Sequence, residues 1–363
     1  MKAAEFLAIA ERLMSQPAVA YHETGVRDTV LAICSEHHLP IQEDRYGNLL
    51  VTYQKGTRRR PLVLGAHMDH PGFELGKILR KNRFQGRFLG GVPRQFFKPG
   101  IPLLLFPGAI KGKLVQAGKK ESIFEIQAEQ PCTAKFAVWA LKEFDTNGET
   151  IFGRACDDLI GVAAILATLI TLKRERRSAH LIGAITRAEE IGFHGALALA
   201  KSAVLPKDCL IISLETSREM PPVRTGEGVI IRVGDRSSIF SSSGTRFIQE
   251  VASELQARDK QFKYQAALMR GGTCEATAYQ EYGFETAALC VALTNYHNCG
   301  PNEQILEESV SLGDSLSMVQ LLCEISQSMP RSVKLSKKLN RRLEVLAKTA
   351  LKQLRLKSLP ALS

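Results

Sequence analysis

The chain lacks any apolar run near the ~18 residues that a membrane-spanning helix needs. It has one tryptophan, and no two of its eight cysteines form a CxxC pair, so neither a zinc ribbon nor a dithiol redox motif is expected. The cysteines sit scattered in apolar context, as in Leu289-Cys290-Val291. They read as free thiols of a reducing, cytoplasmic compartment. The first stretch, MKAAEFLAIAERLM, carries acids inside its apolar part, unlike a secretory leader. There is no internal repeat and no low-complexity segment. A composition of 45% hydrophobic and 23% charged residues excludes a disordered chain and a small disulfide scaffold. The length suits about two domains with a large core.

Acids are scarce in one region. Over 331–363, ten lysines and arginines face the single Glu344, leaving the rest nearly balanced although the whole chain is +11. Leu335, Leu339, Leu343, Leu346, Ala350 and Leu354 recur every three or four residues there, which predicts a basic amphipathic helix. Docking on the body or a role in assembly is the first expectation for it. An anionic surface or a partner's acidic face is the second.

Periodicity predicts an α/β chain interrupted by a β segment. Helices are expected around Phe6 to Leu13 and over 26–37, 161–172, 192–202, 247–256 and 312–328. Strands are expected at 49–53, 62–64, 179–184, 210–214, 229–233 and 287–291, with a turn at Gly47-Asn48 before the first. Over 73–150, short apolar runs alternate with glycine and proline, as in a small barrel or sandwich. The expected organisation is 1–72 with 151–330 as one discontinuous domain, 73–150 as an inserted β domain, and 331–363 as a tail.

Chemistry-bearing residues gather at the ends of apolar, strand-like runs. PLVLGA leads to His67 and Asp69, LIGAITRA to Glu189 and Glu190, LIISL to Glu215, and ALCVALTNY to His297. Asp157-Asp158 precedes a helix. In open α/β sheets the functional crevice lies at the carboxyl ends of strands. Two histidines with several carboxylates suit zinc, cobalt or manganese. A pair of metals needs a bridging carboxylate, for which Asp157 is the natural candidate. His67-x-Asp69 fits a ligand with a carboxylate that fixes its tautomer. Adjacent Glu189 and Glu190 allow one to bind metal and the other to take a proton. Each motif alone also has a plain reading: a buried histidine, a helix cap, a solvated helix start, a turn, a surface loop.

These motifs resemble, in order over about 1–325, those of the di-metal aminopeptidases of the tetrahedral, deblocking and glutamyl type. The matches are Gly65-Ala66-His67-Met68-Asp69, the segment from Gly153 to Gly161, Glu189-Glu190-Ile191-Gly192, Glu215-Thr216 and Tyr296-His297. Gly271, Gly272 and Thr273 resemble a pocket-wall segment of low specificity. The resemblance implies a mixed-sheet zinc-peptidase core with helices on both faces and an inserted barrel. It implies that His67, Asp157 and Glu215 hold one divalent ion and that Asp157, Glu190 and His297 hold the other. Zinc is the first expectation, cobalt or manganese the next. Glu189 would be the general base and Asp69 would orient His67. The implied activity is removal of N-terminal residues from peptides by a homo-oligomer. The alternatives are a deacylase acting on small acylated substrates, or a non-catalytic homologue whose basic tail is the interaction element.

Three positions depart from the pattern: Glu215 where aspartate is common, His70 where an acid is common, and Asn298-Cys299-Gly300 after His297. Arginines such as Arg218 and Arg232 are candidates for selecting an acidic side chain, or ordinary ion-pair partners. Cys156 and Cys299 stand beside site residues and are expected to be sensitive to oxidation.

Overall fold

The computed structural model describes residues 1–56, 60–118 and 122–354. Its centre is an eleven-stranded mixed sheet. Four central strands run parallel, in the order Ala179–Thr186, Leu62–His67, Leu210–Arg218 and Glu285–Thr294. Every residue of Leu62–His67 is buried, as expected for a parallel strand covered on both faces. Alternation divides it. Leu62, Leu64 and Ala66 pack into the main core, whereas Val63 packs on the other face against the helices His194–Lys201 and Glu275–Glu281.

The main core contains the helix Leu159–Arg174, with LIGVAAILATLITL buried all round. Asp158 caps it, its carboxylate accepting from Gly161 N at 3.1 Å. A Cβ at Gly161 would lie 2.2 Å from that carboxylate, so the cap requires glycine. The helices Ala3–Met14 and Leu312–Ser328 contribute to the same core.

The strands Gly72–Arg80, Arg83–Leu89, Ile123–Ala128, Ile110–Ala117, Pro102–Phe106 and Phe136–Trp139 form a closed barrel in that order, not a sandwich. Its core is aromatic, with Phe73 in edge contact with Phe88, Phe97, Phe124 and Trp139. The barrel is entered directly from the carboxyl end of Leu62–His67.

Several elements differ from the expectation. The helix expected from 192 begins at His194, because Gly192 and Phe193 take left-handed backbone angles. The strands Tyr264–Leu268 and Glu308–Ser311 and the helix Glu275–Glu281 were not expected. The basic tail forms the short helix Ser332–Ser336 and then Lys338–Gln353. The second of these has no buried residue and meets the body through the ion pair of Lys338 with Glu250. The expected tail continues into 355–363, which lie outside the described residues.

Candidate metal centre

The four parallel strands bring their carboxyl ends to one rim. His67 ends the strand Leu62–His67, and Glu189 and Glu190 follow Thr186 of the strand Ala179–Thr186. Glu215 lies within the third, and His297 comes three residues beyond Thr294 of the fourth. Asp157 joins them from the turn before the helix Leu159–Arg174. Ligand atoms of His67, Asp157 and Glu215 lie within 4.8 Å of one another, as do those of Asp157, Glu190 and His297. A third grouping joins His67 to Glu189 and Glu190. Asp157 is common to the first two groups, where a bridging ligand was expected.

The hydrogen bonds fix what the two imidazoles present. His67 Nδ1 lies 3.0 Å from the Asp69 carbonyl oxygen, and His297 Nδ1 lies 3.0 Å from the Gly91 carbonyl oxygen. A carbonyl only accepts, so Nδ1 carries the proton in each ring, and in the neutral ring Nε2 is a bare lone pair. Yet His67 Nε2 faces Asp157 Oδ1 at 3.6 Å, and His297 Nε2 faces Glu190 Oε1 at 3.3 Å and Asp157 Oδ2 at 3.6 Å. Asp157 Oδ1, Glu190 Oε1 and Glu215 Oε1 are buried without a hydrogen-bond donor. Acceptors facing acceptors need a cation or a proton between them. Tetrahedral bonds of ~2.0–2.2 Å put ligand atoms about 3.3–3.6 Å apart, close to the spacings seen. The residues present therefore fit divalent ions.

The charges agree. Burial disfavours charged imidazole, but Glu189, Asp157 and Asp69 outweigh it and raise His67, while Glu190 and Asp157 do the same for His297. Despite burial, the two imidazoles hold the Asp157 carboxyl well below its usual range. Burial and the Asp157 charge push Glu215 up to about 8. Burial also raises Glu189 well above the carboxylate range; His67 opposes this, and Glu215 and Glu190 add to it. The Glu189 side chain is 11% exposed against 4% for Glu190 and Asp157. Glu189 thus keeps contact with solvent at the rim.

Asp69 lies against His67, as expected of a residue that orients it, and makes further contacts. Its carboxylate lies 3.6 Å from His67 Nδ1, and its two oxygens accept from Glu189 N at 2.9 Å and Glu190 N at 3.2 Å. The Asp69 carbonyl is the nearer partner of His67 Nδ1, and its carboxylate both faces that nitrogen and holds the 189–190 loop. Glu23, buried beside Arg187, holds the same loop by accepting from Ala188 N. Ala188, Asn295, His297 and Asn298 all have positive φ. Left-handed non-glycine residues of this kind cost energy and persist where surrounding structure enforces them.

Sequence reasoning missed Glu308. It is fully buried, and its carboxylate accepts from Cys156 N, Asp157 N and His297 N at 2.8, 3.0 and 2.9 Å. It ties two ligand-bearing segments together. A glutamate beside Glu307 in LEESVS gives no local signal of this. Two of the departures prove to be partners. His70 Nε2 lies 2.9 Å from Asn298 Oδ1, and His70 Nδ1 lies 3.0 Å from the Asp157 carbonyl. The Asn298 amide nitrogen donates to the Arg154 and Leu306 carbonyls. Burial works against the oxidation expected of two cysteines. Cys156 is buried with a strongly raised pKa, and burial pushes Cys299 up to about 11, whereas reactivity requires the thiolate.

Gly271, Gly272 and Thr273 line a small pocket with Glu215, Thr216, Arg218, Arg232 and Tyr296. Arg232 is 3% exposed and donates to Ser217 Oγ at 3.1 Å. Among the described residues it has no ion-pair partner within 4.0 Å. Arg218 lies over the Tyr296 ring.

A family model described as M42 glutamyl aminopeptidase matches residues 133–309, the span holding Asp157, Glu189, Glu190, Glu215 and His297. Among solved structures, the TET1 peptidase of Pyrococcus horikoshii is similar at 22% identity and a TM-score of 0.73, over 90% of this chain and 99% of that one. An aminopeptidase of the archaeon Desulfurococcus kamchatkensis is similar at 19% and 0.76, over 91% and 97%. A TET aminopeptidase of a marine-sediment thaumarchaeon is similar at 18% and 0.76, over 89% and 97%. The fold is shared with these structures across nearly the whole chain, and five of the six acidic and histidine side chains of the cluster lie in the span, just under half of the chain, that is similar to the M42 glutamyl aminopeptidase model.

Proposed function

We propose that the protein is a metal-dependent aminopeptidase with a pair of divalent ions. The observation that carries this is the pair of Nδ1-anchored imidazoles whose Nε2 atoms face donor-less buried carboxylates. His67, Asp157 and Glu215 would hold one ion, and Asp157, Glu190 and His297 the other. When bound, the ions supply Lewis acidity toward a peptide carbonyl and acidify water. Zinc is the first candidate, then cobalt or manganese. Glu189 accepts the proton of the attacking water and returns it to the leaving amine. Its partial exposure and its fixed backbone suit that transfer. Asp69 and Glu308 hold the segments that bear these groups.

Arg232 supports an acidic preference at the N-terminal residue. Glu215 and Asp235 act on its buried guanidinium only from beyond ion-pair distance, a costly arrangement, and an acidic side chain of the substrate would complete it at close range. A homo-oligomeric, cytoplasmic enzyme is the accompanying reading, supported by dodecameric relatives of the same fold and by eight free thiols. Its proposed organisation is a catalytic domain of 1–72 and 151–330, a barrel insertion of 73–150 and an interaction tail of 331–363.

The test is turnover of a panel of aminoacyl anilides by protein stripped and refilled with zinc, cobalt or manganese. Metal-dependent turnover, greatest with glutamyl or aspartyl anilide, is expected, with loss of about 100-fold or more in Glu189→Gln. Cleavage of acylated amino acids but of no anilide would replace this reading with a deacylase.

A further inference from the structure

The helix Lys338–Gln353 takes no part in the candidate site. It follows Ser332–Ser336, whose Leu335 is buried in the main core. Beyond that anchor the helix keeps a tie to the body at its first residue, where Lys338 Nζ donates to Glu250 at 2.6 Å, and has no buried residue. Leu339, Leu343, Leu346 and Leu354 are 45%, 53%, 56% and 75% exposed. At ~100° per residue, these leucines with Leu335 and Ala350 share one sector about 100° wide. Arg341, Lys348 and Lys352 occupy the opposite side. The helix holds five lysines and arginines against one glutamate.

We propose that this helix lies in the plane of an anionic lipid bilayer. Its leucines would enter the boundary of headgroups and acyl chains while its basic side chains meet lipid phosphates. Sixteen residues make a rod of ~24 Å. No described helix is long and apolar enough to cross a membrane, so the helix rests on the surface. A second copy of the helix fits less well. Coiled-coil seams repeat every ~3.5 residues. Here the apolar positions advance by four, four, three, four and four, wider than the seam of a left-handed coiled coil, and stay within one sector about 100° wide, which suits a plane. The single glutamate also leaves the basic flanks of two such helices without cross-pairs. A nucleic acid would leave the apolar band in water, and residues 332–354 hold no aromatic side chain to stack on bases. In a homo-oligomer several such helices would act together, multiplying a weak single contact.

The experiment is co-sedimentation with vesicles of phosphatidylcholine alone or mixed with phosphatidylglycerol. It compares the full chain, the full chain carrying Leu343→Glu with Leu346→Glu, and a chain ending at Lys337. The full chain should sediment with the anionic vesicles about tenfold or more better than with neutral ones, and less well at high salt. Both altered proteins should remain in the supernatant, with native mass and melting temperature unchanged. The proposal is overturned if the full chain stays in solution. It is overturned if the double variant binds like the full chain, since charge alone would then suffice. A change of native mass on truncation overturns it in favour of a subunit contact. Binding of single-stranded RNA without vesicle binding overturns it in favour of a nucleic acid.

Discussion

At the residue scale, the site is a surplus of buried acceptors held in place by backbone contacts. Glu308 is the clearest case, with one carboxylate bridging three amides of two segments. Glu308→Gln places an NH2 against an N–H donor and should weaken metal affinity about 10–100-fold, as read by calorimetric titration; unchanged affinity would reduce Glu308 to a packing role. His70 and Asn298 should act as one unit. Their alanine variants are expected to be non-additive in unfolding free energy by about 0.5–3 kcal/mol, and additivity would dissolve the pair. The pH dependence has a definite sign. Without a cation Glu215 lies at about 8 against an ordinary 4.5. Its proton favours the folded state at low pH, and that contribution is lost as pH rises from about 4.5 to about 8. Metal-stripped protein should therefore melt lower at pH 8.5 than at pH 6, and metal should remove most of the difference. The same proton must leave when a cation binds, so metal affinity should rise with pH through this window.

At the scale of elements, the barrel is more than an appendage. The Gly91 carbonyl that orients His297 follows directly on the strand Arg83–Leu89. Gly90 before it has φ +129°, and a Cβ there would lie 2.7 Å from Pro71. Phe124→Ala removes a ring from the aromatic core and should cost about 3–5 kcal/mol of stability, measurable by denaturant unfolding. A loss below ~1 kcal/mol would mean that the barrel core collapses around the gap. Long apolar helices and buried parallel strands were legible in the sequence because their patterns are strong, as in LIGVAAILATLITL and LVLGAH. The strand Glu308–Ser311 was not, since ESVS contains one apolar residue and owes its place to pairing with Thr150–Gly153 and Glu285–Thr294. Tyr264–Leu268 was missed because YQAAL favours helix as readily as strand.

At the scale of the molecule, the topology assembles a cluster that no local pattern contains. His67 and His297 are 230 positions apart, yet both face Asp157. Their identities stood out in the sequence because each closes an apolar run. The supporting contacts of Asp69, Glu23, Glu308 and the His70–Asn298 pair did not, because each depends on which segments the fold brings together. Cation binding should therefore stabilise the whole chain, by about 2.7 kcal/mol at a hundredfold excess over Kd.

The most direct measurement is anomalous diffraction at the zinc edge from crystals of the zinc-loaded protein. Two peaks per subunit are expected, one among His67, Asp157 and Glu215 and one among Asp157, Glu190 and His297. A single peak, or peaks away from Asp157, would contradict the bridged pair.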